Sequence, residues 1–139
     1  IRDAHYVENI DAWCADILKK HREKTIQRLG VNPADIEVDL RIIGQDATLG
    51  PLENRLASLT EVGILAIVTA PDQQTASDIA KLLNPYLLHH PLTQAEEQPT
   101  FAFPFSPAEI DRGASYGFAL NHVMKLQNPM DAFILTEHP

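Results

Sequence analysis

Ile36-Glu37-Val38-Asp39-Leu40-Arg41-Ile42 and Glu61-Val62-Gly63-Ile64-Leu65-Ala66-Ile67-Val68-Thr69-Ala70 decide the fold. In the first, apolar and charged residues alternate strictly. Ile36, Val38, Leu40 and Ile42 face one way while Glu37, Asp39 and Arg41 face the other. A period of two with one charged face predicts a strand buried on one side and wet on the other. The second stretch is apolar or small on both faces from Val62 to Val68, as expected of an interior strand covered on two sides.

Helical patterns flank the pair. Val7, Ile10, Cys14, Ile17, Leu18 and His21 recur at steps of three and four, opposite Asp11, Asp16, Lys19, Lys20 and Glu23. An amphipathic helix over 6–29 follows, with Asp3 as N-cap and Gly30 just past its end. After the second strand, Pro71-Asp72 mark a helix start, and Ala76, Ile79, Ala80 and Leu83 form its buried stripe. Pro85 lacks the N–H that an unbroken helix uses, so a kink or stop is expected near Asn84, with a resumed turn to His89. The segment 45–58 has no period and reads as a loop, and 91–114 as a long proline-rich connection. A last strand is expected over 116–125, with Tyr116, Phe118, Leu120, His122 and Met124 on one face.

The predicted order is α-β-β-α-β. One further strand before Ile1 would give βαββαβ, the ferredoxin-like or split βαβ arrangement, an α+β fold with an antiparallel sheet and two helices on one face. That first strand would be central, and a central gap leaves two rows of backbone groups unpaired. It is therefore expected upstream of this fragment or supplied by a partner. Residues 1–127 are read as the ferredoxin-like domain and 128–139 as a C-terminal extension. The chain starts at Ile1 and is expected to be a piece of a longer polypeptide or a processed product.

Composition narrows the function classes. The 139 residues suit one domain with one core, and 45% are hydrophobic. Eleven Lys+Arg against 19 Asp+Glu give a net charge of −8, a poor footprint for nucleic acid or an anionic membrane. The basic cluster from Lys19 to Arg28 reads as a solvated helix face. Cys14 is the only cysteine, which excludes an intrachain disulfide and a cysteine-based zinc site, and its spacing suggests a small buried hydrophobe. No run approaches the ~20 apolar residues of a membrane span, so a cytoplasmic location is expected.

Chemistry-bearing side chains cluster in the second half. His89 and His90 are adjacent, so their side chains diverge; His122 and Glu109 would have to join them to hold a metal, and no HxxxH or HxH spacing is present. No metal or cofactor is expected, there being neither a phosphate-binding glycine loop nor a dinucleotide fingerprint. Arg2, Asp3 and His5 are read as a helix start. Ser106-Pro107-Ala108-Glu109 has capping-box spacing, which predicts a helical turn around 107–111. Phe101, Phe103 and Phe105, with Tyr116 and Phe118, are candidates for an interface or an apolar pocket, aromatics being enriched at interfaces.

Arg2-Asp3-Ala4-His5-Tyr6, Arg41-Ile42-Ile43-Gly44, the Gly50 to Glu53 turn, Thr69-Ala70-Pro71, Leu87-Leu88-His89 and Phe103-Pro104-Phe105-Ser106-Pro107 with Tyr116, Phe118 and His122 resemble the C-terminal region of the acyclic terpene utilisation AtuA-like family. The similarity covers nearly all 139 residues, the last block being its most specific piece, whereas the Glu- and Gln-rich linker 91–100 departs from it. The resemblance implies a larger bacterial cytoplasmic protein of acyclic terpene or branched-acyl catabolism, with this region as its ferredoxin-like C-terminal part and a β segment ahead of the Arg-Asp motif. It implies no catalytic residues here. The expectation is a non-catalytic assembly module whose partners are the rest of the longer polypeptide and further copies of itself. The competing reading is a small hydro-lyase or hydrolase using His89, His122 and Glu109, for which these must converge on one accessible cleft.

Overall fold

The computed structural model describes residues 1–53, 58–103, 106–120, 123–134 and 136–137. It is an α+β fold. Helices α1 (Ala4–Glu8) and α2 (Ile10–Leu29) lead to strand β1 (Glu37–Ile43), then β2 (Gly63–Thr69) and helix α3 (Gln73–His89). The two strands form an antiparallel sheet with Glu37 opposite Thr69 and Ile43 opposite Gly63.

The helix expected over 6–29 is divided at Asn9. Asp3 accepts from the backbone N–H of His5 at 3.1 Å and of Tyr6 at 3.5 Å, capping α1 as its sequence position suggests. Trp13 then donates its backbone N–H to the Asn9 carbonyl, so α2 starts without a gap in the chain of bonds. Gly30 closes α2 in the left-handed conformation at φ 62°, its N–H bound to Ile26 O, a geometry that costs glycine no Cβ clash. Helix α3 runs through Pro85 to His89, where the resumed turn is expected.

The core lies between the helices and one face of the sheet. Ile10, Trp13, Cys14 and Ile17 of α2 meet Ile42 and Val62, with Leu83 of α3 and Tyr6 and Val7 of α1. Val38, Leu40, Ile64 and Ala66 pack partly against this cluster from the sheet. Trp13, absent from the predicted stripe, is its largest fully buried member; truncation to alanine would cost about 3–5 kcal/mol. Its ring stands edge-on to Tyr6 at 6.1 Å, and its indole N–H donates to the His90 carbonyl at 2.8 Å.

Three expectations require correction. Strand β2 is not covered on two sides: Leu65 and Ile67 are 47% and 36% exposed on the face away from the helices. The last strand does not form among the described residues of 116–125, where Tyr116 and Phe118 are 93% and 99% exposed. Alternation marks a segment able to pair, but backbone hydrogen bonding needs a neighbour, and among the described residues none pairs with it. No helical turn forms at 107–111 either, because Glu109 turns its carboxylate to Asn84 of α3 at 2.9 Å.

Candidate functional site

The feature that stands out is the edge of β2 away from β1. At its lower end Ile1 and Val62 exchange both backbone bonds, the Ile1 amino group donating to Val62 O at 2.9 Å and Val62 N donating to Ile1 O at 2.9 Å. A reciprocal pair of this kind is one rung of an antiparallel ladder. Backbone direction alternates along a strand, so with Val62 turned outward, Ile64, Ala66 and Val68 aim their N–H and C=O groups the same way. Among the described residues no backbone group meets them. Among the described residues this edge carries that one rung.

The surroundings of this edge are neutral. Residues 62–70 carry no charge, and their helix-free face presents Leu65 and Ile67 beside the exposed Ile43 of β1. Across the same face, Arg41 Nε donates to Asp39 Oδ2 at 3.1 Å, an exposed pair of small energetic weight.

Of the sequence-predicted residues, His89 and Glu109 bind different partners. His89 ends α3 and meets Gln98 Oε1 through Nδ1 at 3.4 Å. Glu109 is held by Asn84, and chiefly for that reason its carboxyl titrates below the usual range, with Lys81 adding to the effect. These two candidates thus engage separate partners. His122 and Phe105 lie outside the described residues. Phe101 and Phe103 are exposed and stack edge to face at 5.9 Å. Among the described residues no group of three His, Cys, Asp or Glu side chains is placed to hold a metal ion, and no helix is long and apolar enough to cross a membrane. A cleft of about 230 Å³ between α2 and β1 is lined by Lys19, Arg22, Thr25 and Val38 with His21, whose Nε2–H is already committed to Ile79 O at 3.0 Å.

Sequence reasoning missed two polar constructions. In the first, a strap lies along α3: Asn84 donates to Glu109, Ser77 Oγ donates to Asp111 Oδ1 at 2.7 Å, and Gly113 N donates to Gln73 Oε1 at 3.1 Å. The strap therefore climbs α3 toward its N-terminus, taking alternate residues of an extended chain to successive points on one helix flank. The opposite flank faces α2, through the His21 bond to Ile79. The available signal was the shared helical face of Gln73, Ser77 and Asn84.

In the second, the Tyr6 hydroxyl donates to Glu97 O at 2.6 Å and accepts from Leu92 N at 3.1 Å. His90 Nε2 donates to Asp16 Oδ2 at 2.8 Å, and Asp16 also takes Lys20 Nζ at 2.8 Å, the first reason its carboxyl is lowered. These contacts fasten 90–97 across α1 and α2, and they bring Thr100 O to within 3.3 Å of Arg2 N, one residue from the open edge. Comparison with known proteins gives no match to a family model, a curated protein or a solved structure.

Proposed function

We propose that this chain is a non-catalytic assembly and interaction module, ferredoxin-like once its sheet is completed, and that it belongs to a larger AtuA-like protein of acyclic terpene or branched-acyl catabolism. The observation that carries the reading is the antiparallel rung between Ile1 and Val62 on an edge of β2 that is otherwise unpaired among the described residues. Two strands are marginal as a sheet in water, and a third on this edge would satisfy the outward groups of Ile64, Ala66 and Val68. Helices α2 and α3 cover one face only, which is the ferredoxin-like disposition.

A β segment continuing the Ile1 rung would run antiparallel to β2, the direction that the split βαβ topology requires of its first strand. The test compares this chain with a longer polypeptide carrying the sequence that the AtuA-like reading puts ahead of Arg2-Asp3. Hydrogen exchange at Ile64, Ala66 and Val68 is expected to slow in the longer form. Equal, rapid exchange in both would reject sheet completion as the role of this edge.

A further inference from the structure

We propose that the open edge of β2 takes residues 114–120 of a second copy of this chain, exchanged reciprocally to make a two-fold dimer. The proposal rests on the reading above that this edge takes a third strand, and it concerns the chain without the upstream β segment, which would occupy the same edge. Both halves of the contact are present on one molecule. The strap delivers the chain to Gln73, at the end of α3 next to the upper end of β2, and there Gly113 turns with φ 72°. Three residues later Tyr116 is 93% exposed, followed by Phe118 at 99% and Leu120 at 80%. The segment thus projects into solvent.

Its chemistry suits a strand. No proline occurs from 108 to 128, so every residue of 114–120 has an N–H to give. Seven residues at ~3.3 Å each cover about 23 Å, the length of the seven-residue β2. Ala114, Tyr116, Phe118 and Leu120 share one face, and Ser115, Gly117 and Ala119 the other. The small face would then lie on the side of the sheet that α3 covers. The large face then lies on the helix-free side, against the exposed Leu65 and Ile67.

Local charge does not oppose this partner. Two copies of net charge −8 repel, yet residues 114–124 and 62–70 carry no Asp, Glu, Lys or Arg, so this contact brings no like charges together. An isologous exchange satisfies both edges and buries both tails at once.

Light scattering and hydrogen exchange test it across about a hundredfold range of concentration, where mass action separates monomer from dimer. The chain is expected to reach dimer mass, with exchange at Ile64, Ala66 and Val68 slowing about tenfold or more as it does so. Phe118→Asp, at a fully solvated position, should stay monomeric with rapid exchange at all three. A peptide spanning 112–126 should restore their protection in that variant. A monomer at every concentration, protected or not, would overturn the second-copy assignment, as would a dimer that survives Phe118→Asp. If the peptide gives no protection while the longer polypeptide does, sheet completion stands and the exchange falls. If neither protects, both fall.

Discussion

At the scale of single residues, burial decides what the titratable groups can do. Cys14 is 5% exposed, and burial, reinforced by the charges of Asp11 and Asp46, pushes its thiol up to about 12. The thiolate is the reactive form, so iodoacetamide at pH 8 is expected to leave Cys14 unmodified in the folded chain and to label it in denaturant. Labelling of the native protein at the rate of a free thiol would contradict this burial.

His21 is 1% exposed, and its pKa falls below the ordinary 6.5 because burial disfavours the cation, an effect partly offset by the bond to Ile79 O. The unfolded chain takes up a proton near pH 6.5 that the folded chain resists. Stability from this group is therefore intact above pH 6.5 and declines as pH drops below it. His21→Gln should flatten the slope of unfolding free energy against pH between about 6.5 and 5. An unchanged slope by urea titration would assign the acid sensitivity elsewhere.

At the scale of elements, Asp72 holds the start of α3 by two bonds, accepting from Thr75 N at 2.9 Å and Thr75 Oγ1 at 2.7 Å. The first of these does most to lower its carboxyl. Asp72→Ala is expected to lower the thermal midpoint by a few degrees, on the order expected for a lost N-cap, without changing the far-ultraviolet dichroism of the folded state. A midpoint that does not move would mean that packing of Ile79 and Leu83 fixes this helix start alone.

The same elements show what was legible in the chain. Helices α2 and α3 and strands β1 and β2 sit within a few residues of their predicted places, because each carries its own period and its own stop, such as Gly30 or Asp72. No strand forms among the described residues of 116–125, because alternation records a capacity to pair, and pairing belongs to two segments rather than one. The strap left no periodic trace, since Glu109, Asp111 and Gly113 contact α3 through isolated polar atoms 25 to 40 residues away in sequence. Of the His89, His122 and Glu109 grouping, His122 lies outside the described residues, while His89 engages Gln98 and Glu109 engages Asn84.

At the scale of the whole molecule, exposed apolar residues include two sets that the proposed contact would bring together. Leu65 and Ile67 border the open edge, and Tyr116, Phe118 and Leu120 stand beyond the strap. With a charge of −8 on each copy, long-range repulsion would oppose the proposed dimer. Screening shortens from about 10 Å at 0.1 M salt to about 3 Å at 1 M, so added sodium chloride should strengthen self-association of the chain. Dissociation on raising salt, followed by light scattering, would point instead to an interface built on ion pairs.

The molecule also carries its own optical gauge. Trp13 is the only tryptophan, 1% exposed, with its ring against Tyr6 and its indole N–H on the carbonyl of His90. Its emission maximum should therefore be blue-shifted in the native state. Because the indole touches α1, α2 and the chain leaving α3 together, loosening any one of them will redden the same fluorescence signal.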